Sequence, residues 1–297
     1  MRMEPAHLGR LRSSDDGCRR YRPVNMSFDL RARWLAMEIK DEWDERVKEQ
    51  HQAAHRGIRE GLIHTYGADG YEQKIQNFID LDVAPSSVQS VHNELLAQIR
   101  SSFTLGAYYP ALVGAGALGE RLLNEMFLRL RKYFLHHPAT QRVRSNSSID
   151  DWRKLIAILG AWKIFDDDVS DEFDALRRLR NTSVHFGLPN LHETGGRTEA
   201  LEAIQHLQKI ISKLFPAVET SPFFIPNTQG AFYIRRDAED LPFVKEFLIP
   251  ASVLVTPENE YENYGTDVMA VLDNVEFSNE YGLSDLDDES FSNWKRP

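Results

Sequence analysis

Cysteine is nearly absent: 297 residues carry one thiol, Cys18, in a polar stretch. That leaves no disulfide framework within the chain and no multi-thiolate metal site. Long apolar runs are missing as well. No stretch reaches the roughly 18 apolar residues of a membrane-spanning helix. The first residues carry charge without the apolar core of a signal peptide. The expectation is a cytoplasmic protein that does not contact the membrane. Two catalytic signatures are absent too: a glycine-rich phosphate loop ending in Lys-Ser/Thr, and a Gly-x-Ser-x-Gly elbow. His51, His55, His64, His92, His136 and His137 lack ligand spacing. His51 and His55 are four apart, but Gln52 follows His51 where a zinc peptidase needs glutamate. No metal and no cofactor are expected.

What is present describes an ordinary globular chain, with 42% apolar and 27% charged residues. Its formal net charge of −10 is unevenly spread. Residues 1–26 balance at +3, 27–100 at −4, 101–186 at +2, and 217–297 at −11. The acidity therefore belongs to the C-terminal portion. A polyanionic substrate elsewhere is not excluded, because the local field at a site outweighs the sum.

Four segments follow from composition and periodicity. Residues 1–26 lack apolar periodicity and read as a loose leader, with Met26 as an alternative first residue. Residues 27–104 are expected as a helical N-terminal region. Leu30, Trp34, Met37, Ile39 and Trp43 form an apolar stripe there, expected to be core rather than base-stacking platforms. Gly67-Ala68-Asp69-Gly70 breaks the pattern, a short helix covers Tyr71 to Ile79, and Pro85-Ser86-Ser87 reads as the cap of another running toward Phe103.

Residues 105–216 are expected as a helical bundle. Its first helix, from Tyr108 to about Phe134, begins with Ala111-Leu112-Val113-Gly114-Ala115-Gly116-Ala117-Leu118-Gly119. Glycine costs helix propensity, so the return must be close approach of a neighbour, which places this helix in the core. Further helices are expected over Ile149–Trp162 (capped by Ser148 or Asp150), about Ser170–Phe186, and Arg197–Phe215. Residues 217–297 are punctuated by proline and expected to be β-prone, in runs such as Phe247-Leu248-Ile249 and Ser252-Val253-Leu254-Val255.

Chemistry concentrates at the end of the third of these bundle helices, in Arg177-Arg178-Leu179-Arg180-Asn181-Thr182-Ser183-Val184-His185. Arg180 offers a permanent forked cation, Asn181 a neutral donor and acceptor, and His185 a proton mobile near neutral pH. Metal-free cleavage of RNA needs those parts: a proton taken from the 2′-hydroxyl, another given to the departing 5′-oxygen, and positive charge at the phosphorane. The C-terminal end of a helix favours the imidazolium and suits His185 to the acid role. At 100° per residue, Arg180 lies about 140° around the axis from His185, whereas Asn181 and His185 share a face. Such residues can also simply cap a helix end. The acidic run Asp166-Asp167-Asp168 with Asp171, Glu172 and Asp174 reads as caps and dipole partners rather than a metal site.

Residues 105–215 resemble the HEPN superfamily, α-helical domains of prokaryotic toxin–antitoxin, abortive-infection and CRISPR-linked ribonucleases. The glycine-alanine helix through Glu120-Arg121-Leu122 and the later helix ending in Arg180-Asn181…His185 carry the likeness. The position two residues after the histidine is Gly187, so the tyrosine that some toxin members modify is missing. The resemblance implies a HEPN-like helical bundle, and with the segments read above the expectation is a mainly α fold, that bundle joined by a helical N-terminal extension and a small, β-prone acidic C-terminal region. It implies a metal-independent endoribonuclease, with Arg180, Asn181 and His185 catalytic and Glu120, Arg177 and Arg178 supporting. It further implies RNA as substrate, a homodimer that pairs two histidines, and a cognate antitoxin or defence-system partner. The alternative it leaves open is a non-catalytic module that binds RNA, nucleotide or a protein.

Overall fold

Apolar positions at helical spacing set most of the architecture. The computed structural model describes residues 20–23, 29–85, 87–184, 196–215, 222–225, 233–255, 261–263 and 269–271. The protein is mainly helical: α1 (Arg31–Ala36), α2 (Glu45–Tyr66), α3 (Tyr71–Asp80), α4 (Ser90–Thr104), α5 (Tyr108–Leu130), α6 (Trp152–Ala161), α7 (Asp167–Val184) and α8 (Arg197–Leu214). It divides into two compact units, one of residues 27–216 and one combining 1–26 with 217–297.

Within the first unit, α5 is the central helix and packs against α4, α6, α7 and α8. Eleven of its residues are buried, from Ala111 to Leu130. Its glycines replace side-chain volume with neighbouring side chains. A Cβ on Gly114 would lie 2.9 Å from Cγ1 of Ile99 on α4, and one on Gly119 would lie 2.7 Å from Cδ2 of Leu176 on α7. The cost in helix propensity is offset by interhelical contact. Helix α8 buries Ala200, Ala203, Ile204, Leu207, Ile210, Ile211 and Leu214 along one side. The boundary anticipated near residues 104–105 falls at the turn between α4 and α5, inside this unit.

Helices α1 to α3 form a smaller cluster around Ala32, Leu35, Leu62, Ile75 and Phe78. Here the expected apolar stripe is interrupted. Helix α1 ends at Ala36, followed by Met37 with an extended ψ of 123°, and Asp44 starts α2 anew by accepting from the Arg46 amide at 2.9 Å. The pieces of the stripe therefore do not share one face. Leu30 (38%), Trp34 (38%) and Met37 (36%) remain exposed rather than core. Trp34 and Trp43 both lie against the ring of His51, with centroids 5.0 and 4.8 Å apart. The next helix also begins later than its Pro-Ser-Ser signal. Ser87 Oγ accepts from the Gln89 amide and meets Nδ1 of His92, both at 3.1 Å, and α4 starts at Ser90.

The second unit has short pieces of structure. Strand β1 (Arg20–Pro23), expected within a loose leader, pairs antiparallel with β2 (Ser252–Val255), Arg20 opposite Val255. Its partner lies far along the chain, so no local pattern could reveal it. Strands β3 (Tyr261–Asn263) and β4 (Met269–Val271) form another antiparallel pair. Phe247 and Leu248, expected as strand, sit instead in a π-helical turn, Val244–Leu248. Ring stacking of Phe243 on Phe247 and Phe223 stabilises the turn in place of strand pairing. Among the described residues, no helix is long and apolar enough to cross a membrane.

Candidate functional site

The site forms where α7 crosses α5. Asp166 precedes α7, and its Oδ1 accepts from the Val169 amide at 3.0 Å. That is a side-chain cap, as expected for the acidic run. Other carboxylates of the run are also engaged. Glu172 accepts from Nδ1 of His206 at 2.6 Å and from Lys209 at 3.3 Å, and Asp168 lies 3.5 Å from Lys213. Burial alone would raise the Glu172 carboxyl, but the His206 and Lys209 contacts outweigh it and hold the group below its ordinary value. Among the described residues, no group of three His, Cys, Asp or Glu side chains could hold a metal ion.

At the other end of α7, Gly116 makes room for Arg180. A Cβ on Gly116 would fall 2.7 Å from Cγ and 3.1 Å from Cβ of Arg180. Glu120, one turn further along α5, accepts from Nη2 of Arg180 at 3.0 Å. Four residues of helix rise about 6 Å, comparable to the reach of an arginine from stem to guanidinium. The Arg180 side chain therefore lies along one face of α5, its stem on Gly116 and its head on Glu120. Gly119 meets Leu176 and Gly116 meets Arg180, so the two helices run antiparallel.

Glu120 has a second partner that sequence reasoning missed. Nε1 of Trp152, on α6, donates to the same Oε2 at 3.3 Å. Trp152 is 2% exposed, so its indole fixes the carboxylate from the interior. The signal lay in a tryptophan opening α6, but its target could not be read without knowing how α6 crosses α5. Asn181 accepts from Nη1 of Arg180 at 3.2 Å. The guanidinium is thus held on two edges by a carboxylate and an amide. With side chains about a third exposed (30% and 31%), the Arg180–Glu120 pair contributes at most about 1 kcal/mol to stability. Its consequence is geometric.

Arg177 and Arg178 take a different partner. Both meet Asp174 on their own helix: Nε of Arg177 donates at 2.7 Å, and Nη1 of Arg178 at 2.5 Å. Arg177 is largely covered and Arg178 mostly exposed, at 11% and 64%. Arg178 therefore presents cationic surface near the end of α7, and Arg177 braces the helix. The geometry brings Arg180, Asn181 and Glu120 together. His185 follows the last residue of α7 and lies outside the described residues.

Comparison with protein-family models, with curated proteins and with solved structures finds no match.

Proposed function

We propose that the protein is a metal-independent endoribonuclease of HEPN type, with Arg180, Asn181 and His185 as its working residues. The observation that supports this reading is the seating of Arg180 on Gly116, Glu120 and Asn181. A guanidinium held on defined edges is pre-organised to meet a phosphorane, which is where electrostatic catalysis gains most. In this reading, His185 of one chain protonates the departing 5′-oxygen, and His185 of a second copy accepts the 2′-hydroxyl proton. The resemblance extends the reading to a toxin or antiphage-defence effector held by a cognate antitoxin or defence-system partner.

A second reading has its own observation. Arg180 is already paired with Glu120, which also suits an interhelical strut in a non-catalytic module that binds RNA, nucleotide or protein. Purified protein incubated with RNA separates the two. The catalytic reading expects cleavage that survives a chelator and products ending in a 2′,3′-cyclic phosphate. His185→Ala should lower the rate by about 10²–10⁴-fold, and Arg180→Ala should abolish it with the fold retained. Activity lost in chelator and restored by Mg²⁺ would refute the mechanism. RNA binding without cleavage, unchanged in both variants, would favour the strut.

A further inference from the structure

A second site, sharing no residue with the Arg180 set, lies between α1, α2, α3 and α4. It is a cavity of about 240 Å³. An apolar cavity of about 150 Å³ accommodates benzene, so this one has space for a small aromatic or branched molecule and some additional groups. Phe78, Leu96 and Pro85 supply apolar wall, and Ala97 lines it from an exposed position on α4.

The polar lining is unusual in its balance. Two guanidiniums, Arg31 and Arg100, share the cavity with one carboxylate, Asp29. Arg100 is 6% exposed. Its Nη1 donates to the Leu81 carbonyl at 3.1 Å and to Gln208, and its Nη2 to the Asp82 carbonyl at 2.7 Å. Arg31 grips Asp29 in a fork, Nε to Oδ1 at 2.9 Å and Nη2 to Oδ2 at 2.7 Å, and lies over the ring of Phe78. The backbone amide of Arg31 also takes Oδ1, so the carboxylate is well occupied. Among the described residues, no acceptor meets Nη1 of Arg31 or Nε of Arg100.

Tyr66 and Ser101 add two hydroxyls, 3.3 Å apart. One hydrogen joins them and the other remains to donate. Asn93 uses its amide on the backbone of Ser87 at both ends. Among the described residues, the cavity lining is therefore rich in donors and poor in acceptors, with two guanidiniums against one carboxylate. Burial and the nearby Arg31 push Arg100 down, to about 10, despite the opposing Asp29, Tyr66 and Asp82. An anion in the cavity would relieve that unfavourable charge.

We propose that this cavity binds a small monocarboxylate. Its head would meet Arg31, Arg100 and the Tyr66–Ser101 hydroxyl pair, and its apolar body would pack against Phe78, Leu96 and Pro85. The two guanidiniums select an anion, the apolar wall selects one with an apolar body, and the donor-rich lining selects an acceptor-only head.

The test titrates the full-length protein with sodium benzoate, with its neutral isostere benzamide, and with inorganic phosphate. Binding is followed by calorimetry and ligand-observed NMR. Benzoate should saturate, benzamide should bind at least about tenfold more weakly, and phosphate should not displace benzoate. Arg31→Gln should weaken benzoate by about tenfold, with the far-UV spectrum unchanged. Ala97→Trp leaves every charge in place and should block benzoate by filling space. Any of four results overturns the proposal: no saturable benzoate binding, equal affinity for benzamide, displacement of benzoate by phosphate, or unchanged benzoate affinity in folded Ala97→Trp protein.

Discussion

Gly116→Ala tests the seam between α5 and α7 with a single methyl group. In an open helix the change is favourable by about 0.8–1 kcal/mol, because alanine loses less backbone entropy and has the higher propensity. At Gly116 the added Cβ would fall 2.7 Å from Cγ and 3.1 Å from Cβ of Arg180. Both atoms belong to the stem of the side chain, and Cα of Arg180 stands close behind at 3.9 Å, so α7 itself must move. Overpacking of this kind costs about 1–3 kcal/mol. Net of propensity, Gly116→Ala should destabilise by about 0–2 kcal/mol. Gly119→Ala should lie toward the upper end, since its Cβ would meet both Leu176 and the Trp152 ring, at 2.7 and 2.8 Å. Gly57 and Gly61 on α2 have nothing within 4 Å of the place a methyl group would occupy and serve as controls that should gain stability. Urea denaturation followed by circular dichroism gives all four values on one scale. If the α5 variants gained as much as the α2 variants, the close approach of the two helices would be refuted. In the proposed ribonuclease, Gly116→Ala should also lower RNA cleavage, since it displaces the stem that sets the guanidinium.

Two further outcomes are expected. Burial, with Arg121 and Arg129 adding repulsion, pushes His92 down from 6.5 to about 4. The unfolded chain therefore binds the proton first, and stability present above pH 6.5 is lost as pH falls toward 4, by up to about 3 kcal/mol. Urea midpoints across that range should fall less steeply in His92→Gln, and parallel profiles would show that His92 is not the group responsible. The proposed ribonuclease needs two histidines, so light scattering should report twice the chain mass; a monomer that still cleaves RNA at dilution would contradict the paired mechanism.

Much of the helical fold was legible because its signals are local. The Gly67–Gly70 break, the stripe of α8 and the small-residue half of α5 each state their structure within a few turns of sequence. The glycines do mark close approach, but the approach is to Ile99, Leu176, Trp152 and Arg180 of the same chain. They therefore do not bear on a dimer, which the resemblance implies through the pairing of two histidines. Part of what escaped the sequence depends on distant partners, and part on local contacts that override propensity. Residues 20–23 become a strand only because Ser252–Val255 lies beside them. Phe247 and Leu248 had strand propensity but sit in a π-helical turn against the Phe243 ring. Asp44 divides the N-terminal stripe because one cap overrides a weak periodicity. At the candidate site, Arg180, Asn181 and Glu120 were legible as residue types, and the structure brings them together. Trp152 was not, because its role is to hold Glu120 from a third helix.

That third helix determines how a change at the site should be interpreted. Arg180 is positioned by packing along its stem at Gly116 and by hydrogen bonding at its head through Glu120, and Glu120 is in turn anchored by a buried indole. A carboxylate on an exposed helix face would sample several rotamers, and the guanidinium would follow it. Anchoring it to Trp152 removes that freedom, which in the proposed ribonuclease is the condition for charge stabilisation without reorganisation. The seam and the site are consequently one structural variable. Substitutions that loosen α5 against α7 should reduce stability and shift Arg180 together. Substitutions at Arg178, mostly exposed and tied to its own helix, should leave the position of Arg180 unchanged and alter only the surface charge that RNA would meet.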